Sequence, residues 1–277
     1  MICYNGTYIE DFSIKLNNRG LKYGDCFFDT IKCYNGKPLF WESHYFRIAS
    51  SFGMLKMIPP NNFDIEYFED LIKKLLEINR IDNQSARIRI TFYRLGSGYY
   101  HPSKNSVDFV IESASLSNYH YSDLKSLDCG IYKDNFISPS PLNTIKTNSR
   151  LINILASIYA KENNIDDCLL LNNNNHVTES VSGNVFIVNK NKIFTPPLSD
   201  GCINGVLRTE LLNENKFNIE EKSLSIVDVL NADEVFITNV IKGIQSVRRI
   251  GHKNFTNEMT LKIIDFLNSH YLNSDEN

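Results

Sequence analysis

Apolar and polar positions recur along this chain with two different periods, and the switches between them mark the elements. Ile2-Cys3-Tyr4 and Thr7-Tyr8-Ile9 flank Asn5-Gly6, a pair that supplies the two positive-φ positions of a type I′ turn, so a hairpin is predicted. The device recurs where Ile31-Lys32-Cys33-Tyr34 and Lys37-Pro38-Leu39-Phe40 flank Asn35-Gly36. Between the two lies a polar, glycine-marked loop at residues 18–25, leading into Cys26-Phe27-Phe28. From Trp41 the period lengthens: Trp41, His44, Tyr45, Ile48 and Phe52 fall at helical spacing. A second helix is predicted over residues 63–79, with Phe68, Leu71, Ile72, Leu75 and Leu76 on one face, and strands over 86–93 and 107–111. Residues 116–126 are polar, contain tyrosines and show no period; they read as a linker.

Beyond it, a strand is predicted near Ile131, and Ser138-Pro139-Ser140-Pro141 marks a loop. A helix over 149–162 carries Leu151, Ile154, Leu155, Ile158 and Tyr159 as its apolar face. Strands are predicted at 168–171, 184–188, 193–195, 235–238 and 244–249, with helices at 205–213 and 259–267. The four asparagines at 172–175 read as a turn between strands. Interspersed strands and helices without a long-period repeat imply an α/β (α+β) protein of two lobes. The division is a small N-terminal domain at 1–115, a linker at 116–126 and a larger C-terminal domain at 127–277.

Composition narrows the class without naming an activity. The 277 residues are enough for two cores that need no disulfide or metal. A net charge of -3 argues against a nucleic-acid binder, and no apolar run approaches the roughly 20 residues of a membrane span. The N-terminus lacks a basic start followed by an apolar stretch, so no secretory signal is expected. Six scattered cysteines without a CxxC pair read as free thiols of a cytoplasmic protein, and the six histidines lack zinc-site spacing. One bias stands out: 34 residues are asparagine.

Three local patterns could carry chemistry. Lys146 stands in Thr144-Ile145-Lys146-Thr147-Asn148, after the proline-rich loop and before a helix. A lysine there is either simply exposed or, if partly buried, an amine nucleophile of the kind that forms Schiff bases. Glu179, in Thr178-Glu179-Ser180-Val181-Ser182-Gly183-Asn184, is either solvated or a carboxylate that keeps a heteroaromatic nitrogen protonated. Gly205-Val206-Leu207-Arg208 opens a helix, whose free N–H groups and dipole suit a phosphate.

Taken together, these patterns resemble the class IV aminotransferase family, the fold-type IV pyridoxal-phosphate enzymes. Residues 19–30, Arg19-Gly20-Leu21-Lys22-Tyr23-Gly24-Asp25-Cys26-Phe27-Phe28-Asp29-Thr30, look like the family's N-terminal RGxxYGDGxFET signature. His44-Tyr45-Phe46-Arg47-Ile48 is similar to its H-x-x-R-L helix, and Lys146, residues 177–186, Thr195-Pro196-Pro197, residues 205–208 and Ala232-Asp233-Glu234-Val235-Phe236 follow in order. The resemblance implies a two-domain fold like that of D-amino-acid aminotransferase, with pyridoxal 5′-phosphate in the interdomain cleft and two copies forming a homodimer. It implies Lys146 as the cofactor-bearing, proton-moving amine and Glu179 as the partner of the pyridine nitrogen. Arg47, the N–H groups of Val206 and Leu207, and Thr238 and Asn239 would hold the phosphate. Thr238 reads alternatively as a strand cap, and Arg47 as a surface arginine.

The partner would be a small-molecule amino substrate, with no nucleic acid, membrane or metal involved. Val240 and Ile241 would cradle its carboxylate, and Arg94, in the family's R-G-x-G loop, would be a substrate-side cation. Thr30 would relay a proton, or else be a packed strand threonine. Lys146-Thr147-Asn148-Ser149-Arg150-Leu151 and Phe236-Ile237-Thr238-Asn239 lean towards the family's aminodeoxychorismate lyases, which release pyruvate and 4-aminobenzoate for folate biosynthesis. Ser149 departs from the lyase pattern and Asp29 from both patterns. An amino-acid transaminase of the branched-chain or D-amino-acid type therefore stays open as the alternative.

Overall fold

The computed structural model describes residues 1–117, 120–122 and 125–272. Asn118, Tyr119, Asp123 and Leu124 of the expected linker lie outside these. The chain divides into two units: Met1–Tyr119 with Ile145–Ser149, and His120–Thr144 with Arg150–Asn277. The sequence reading places Lys146 in the C-terminal lobe, whereas its segment packs with the first unit.

The first unit comprises β1 (Ile2–Tyr4), β2 (Thr7–Ile9), α1 (Arg19–Tyr23), β3 (Cys26–Tyr34), β4 (Lys37–Pro38), α2 (Trp41–Leu55), α3 (Ile65–Ile78), β5 (Ala86–Arg94) and β6 (Val107–Ser115). Its strands form an antiparallel sheet in the order β2-β1-β6-β5-β3-β4. Both Asn-Gly turns form; Asn5 and Gly6 take φ 47° and 84°. Helix α1 stands where a loop was expected. The Asn18 side chain caps it by accepting the Leu21 N–H at 3.1 Å, and Gly24 ends it at φ 63°. Five residues are too few for a 3.6-residue period to show.

Helices α2 and α3 cover one sheet face. Phe68, Leu71, Ile72, Leu75 and Leu76 of α3 pack with Phe27, Ile31 and Cys33 of β3 and Ile88, Ile90 and Phe92 of β5. Burial of each such side chain is worth about 1.5–3 kcal/mol. Strand alternation then sends Phe28, Thr30 and Lys32 to the opposite face. Their cross-strand partners there are Thr91, Arg89 and Arg87.

The second unit comprises β7 (Leu127–Ile137), α4 (Leu151–Glu162), β8 (Asp167–Asn172), β9 (His176–Ser180), β10 (Asn184–Asn189), β11 (Lys192–Thr195), α5 (Val206–Asn213), β12 (Ile219–Glu221), β13 (Leu224–Ser225), α6 (Ile226–Leu230), β14 (Glu234–Asn239), β15 (Gly243–Ile250), β16 (Lys253–Asn254) and α7 (Glu258–Leu267). They form a mixed sheet, β12-β11-β10-β14-β15-β7-β8-β9-β13, with β16 on β15. The β15–β7, β7–β8 and β11–β12 pairs are parallel. Buried Glu234 anchors α7 by accepting the N–H groups of Met259 and Thr260 at 2.7 and 2.9 Å.

Helix α4 reverses its prediction. Leu151, Ile154, Leu155 and Ile158 are exposed (70, 53, 45 and 49%), and the buried positions are Ala156 and Ala160. The two alanines let the helix approach Tyr132, Cys168 and Leu170 closely. Periodicity distinguishes two faces but does not say which neighbour covers each. All six cysteines are buried and unbridged, and no described helix is long and apolar enough to cross a membrane. The asparagine bias has a backbone use. Six of the ten described non-glycine residues with positive φ are asparagines: Asn5, Asn35, Asn164, Asn175, Asn191 and Asn218.

Candidate active-site residues

Lys146 is half-buried in the first unit because its segment adds backbone bonds to the start of β3. The Phe28 N–H donates to the Lys146 carbonyl at 2.9 Å, and the Asn148 N–H donates to the Cys26 carbonyl at 3.2 Å. Lys146 Nζ lies 5.0 Å from the centre of the Phe28 ring, and the Arg89 guanidinium lies 3.7 Å from the same ring. Lys146, Phe28, Thr30 and Arg89 therefore share one face of the sheet. Lys32 lies on that face too, fully buried, and burial pulls its ammonium down to about 8. The sequence reading missed Arg89. Its signal was the strict alternation Arg87-Ile88-Arg89-Ile90-Thr91, which places both arginines opposite the core.

Arg47 lies on the other side of β3, on α2, and pairs bidentately with Asp29. Its Nε and Nη2 donate at 2.9 and 2.8 Å, while His44 Nδ1 lies 2.7 Å from Asp29 Oδ1. Asp29 is 1% exposed. Burial opposes its charge, but the Arg47 guanidinium and His44 outweigh burial and hold the carboxyl well below the usual carboxylate range. The H-x-x-R spacing is thus explained: one helical turn puts His44 and Arg47 on the same carboxylate.

Arg94 is corrected. Expected as a substrate-side cation, it is buried and spent within its own unit. Its Nε contacts Asp25 Oδ1 and Oδ2 at 3.1 and 3.0 Å, Nη1 donates to the Lys56 carbonyl and Asn105 Oδ1, and Nη2 donates to the Leu55 carbonyl. Asp25 also accepts from Arg19 Nε at 2.8 Å. A fork of five donors so occupied is an internal brace.

In the second unit, Glu179 on β9 is 3% exposed and accepts the Ile203 N–H at 2.8 Å. Asn184 Nδ2 donates to the Ile203 carbonyl at 2.8 Å, so Ile203, two residues before Gly205, is held at both its N–H and its carbonyl. Helix α5 begins at Val206 with no side-chain cap. A Cβ on Gly205 would overlap Asn184 Oδ1, so only glycine permits this approach. Asn184 pairs across the sheet with Thr238, whose hydroxyl is buried and has no hydrogen-bond partner among the described residues. An orphaned buried hydroxyl beside the uncapped start of a helix is a fit for a phosphate, and a buried carboxylate fits a protonated ring nitrogen. Asn239 is corrected in part. Its side chain serves the protein, with Nδ2 donating to the Ser182 carbonyl at 2.6 Å and Oδ1 accepting the Ile241 N–H at 2.9 Å. That bond also takes the Ile241 N–H expected for substrate, leaving Val240.

Comparison with known proteins gives this arrangement its class. A family model described as Amino-transferase class IV matches residues 26–250, and the chain belongs to that family. Among its relatives, the D-alanine aminotransferase of Bacillus licheniformis is 26% identical over 255 residues, covering 86% of this chain and 84% of that one. The aminodeoxychorismate lyase of Vibrio harveyi is 27% identical over 243 residues, covering 86% and 87%. The fold is that of the branched-chain aminotransferase from Thermoproteus uzoniensis, with a TM-score of 0.86 at 20% identity, covering 99% of this chain and 95% of that one. It is equally that of the 4-amino-4-deoxychorismate lyase from Pseudomonas aeruginosa, with a TM-score of 0.82 at 22% identity, covering 98% and 99%. The protein is a pyridoxal-phosphate-dependent enzyme.

Proposed function

We propose that the chain is an aminodeoxychorismate-lyase-like enzyme, converting 4-amino-4-deoxychorismate to 4-aminobenzoate and pyruvate in folate biosynthesis. The observation that carries this reading is Thr30, a hydroxyl on the sheet face that also bears Lys146 and Phe28. Pyridoxal phosphate supplies an electron sink for the bonding pair at the carbon that bears the substrate's amino group. With the cofactor bound, the Lys146 amine would take the proton from that carbon. Thr30, on the same face, would pass a proton on. Glu179 holds the proton on the pyridine nitrogen, and burial keeps that ion pair undiluted by water. Thr238 Oγ1 and the first N–H groups of α5 bind the phosphate; the Arg47 guanidinium, expected to join them, is held in one plane by the Asp29 carboxylate. Val240 receives the substrate carboxylate.

A transaminase is the second reading, favoured by Arg89. It is the cross-strand partner of Thr30, and a cation there suits the carboxylate of an amino or keto acid. Purified protein incubated with 4-amino-4-deoxychorismate is expected to release 4-aminobenzoate. Robust amino transfer from D-alanine or branched-chain amino acids to 2-oxoglutarate, without that release, would overturn the lyase reading.

The homodimer is supported by the stripe of Leu151, Ile154, Leu155 and Ile158, four exposed apolar residues in under three turns of α4. Ile154→Asp is expected to shift the protein from dimer to monomer in sedimentation analysis, because a carboxylate in an apolar interface loses its water without gaining a partner. A variant that sediments as the wild type would remove α4 from the interface.

A further inference from the structure

The turn joining β14 to β15, residues 240–242, is held by more than its own backbone. The Tyr121 hydroxyl donates to the Val240 carbonyl at 2.8 Å, and the Ile241 N–H donates to Asn239 Oδ1 at 2.9 Å. The Val240 carbonyl and the Ile241 N–H belong to one peptide plane and point in opposite directions. Bonds at both ends therefore fix the rotation of that plane.

Both jaws of this clamp are themselves anchored. Tyr121 is 2% exposed, its N–H donates to Asn268 Oδ1 at 2.8 Å, and its carbonyl accepts from Asn268 Nδ2 at 2.7 Å. The ring lies where a Cβ on Gly243 would be, and Gly243 has φ +78°, so a side chain is excluded there on two grounds. Burial pushes the Tyr121 phenol far above its ordinary value, so the hydroxyl remains a donor at any working pH. On the other side, Asn239 hangs from the Ser182 carbonyl. The loop bearing Ser182 is tied to the buried Asp167 carboxylate, which accepts from Ser180 Oγ at 3.1 Å, Ser182 Oγ at 2.6 Å and the Val181 N–H at 3.0 Å. The orphaned Thr238 hydroxyl precedes Asn239 by one residue, marking this end of β14 as a place prepared for a ligand.

We propose that Tyr121 is a positioning residue for substrate: with Asn239 it locks the Val240–Ile241 peptide, so that the Val240 N–H, the donor outside the clamp, meets the substrate carboxylate in a fixed direction. The proposal rests on reading this turn as the carboxylate cradle. A tyrosine from a segment that has no periodic pattern would thereby set substrate affinity without touching substrate.

Tyr121→Phe keeps the ring against Gly243 and removes only the hydroxyl. The variant is expected to take up pyridoxal phosphate and melt like the wild type, to keep its kcat, and to raise the KM for 4-amino-4-deoxychorismate about tenfold, the loss of one hydrogen bond's worth of orientation. In the full chain without substrate, amide exchange across residues 240–242 is expected to speed up about tenfold, a readout independent of turnover. An unchanged KM, or a KM that rises only in step with a lower melting temperature, overturns the proposal. Wild-type protein that takes up no cofactor would sink the functional reading instead, and unchanged exchange at 240–242 would then still refute the clamp.

Discussion

Lys146→Ala is expected to cut turnover by about two to four orders of magnitude, the range a positioned proton-transfer group contributes. The visible absorbance that the cofactor gains on bonding to a lysine should vanish with it. The loss should be chemical, not structural. The pairing of this segment with β3 runs through the Lys146 carbonyl and the Asn148 N–H, which alanine retains. Its melting temperature should therefore stay close to that of the wild type, since truncating a half-exposed side chain changes stability little. Steady-state turnover, the absorption spectrum and a thermal melt on the same sample check this. A variant that keeps a tenth of wild-type turnover would remove Lys146 from the chemistry, whichever reaction the enzyme performs.

Asp29→Ala is expected to destabilise the first unit by about 3–5 kcal/mol, because it removes the carboxylate that pairs bidentately with a buried guanidinium. The Arg47 side chain is 9% exposed and Asp29 2%, so neither water nor salt replaces the lost partner. Against a typical total of about 5–15 kcal/mol, that loss shows readily in denaturant unfolding. The pH dependence has a fixed sign. The Asp29 carboxyl titrates lower in the folded protein than in the unfolded chain, so its stabilisation is complete above about pH 4 and fades as pH falls through the lowered folded value. The gap between wild type and variant should accordingly be constant near neutrality and narrow in acid. A gap below about 1 kcal/mol at neutral pH would mean that the pair holds Arg47 in place at no net gain in stability.

How much of this was legible depended on whether the signal was local. The Asn-Gly hairpins, α3 and its stripe of Phe68 to Leu76, and the alternation of β5 could be read because each is written within a few residues. The motif residues were legible as a resemblance, and Glu179 and Thr238 stand buried at strand positions. Arg94 was misread because its motif lies beside a loop, and the sequence cannot show that Asp25, 69 residues away, already holds it. Tyr121 was passed over for the opposite reason: it has no periodic company, and its partners Val240 and Asn268 lie 119 and 147 residues further on.

The sequence by itself determined the family and the cofactor, because those are set by side-chain chemistry in a fixed order along the chain. Tertiary structure alone decided which of those side chains are spent on the protein and which remain for a ligand. Arg94 and the Asn239 amide are consumed, whereas the Thr238 hydroxyl is left over. It also decided that Lys146 joins the N-terminal unit and that the apolar stripe of α4 faces outward. Both are questions of which distant segment fills a given contact, and a hydrogen bond or a buried face is satisfied by whatever the fold brings beside it.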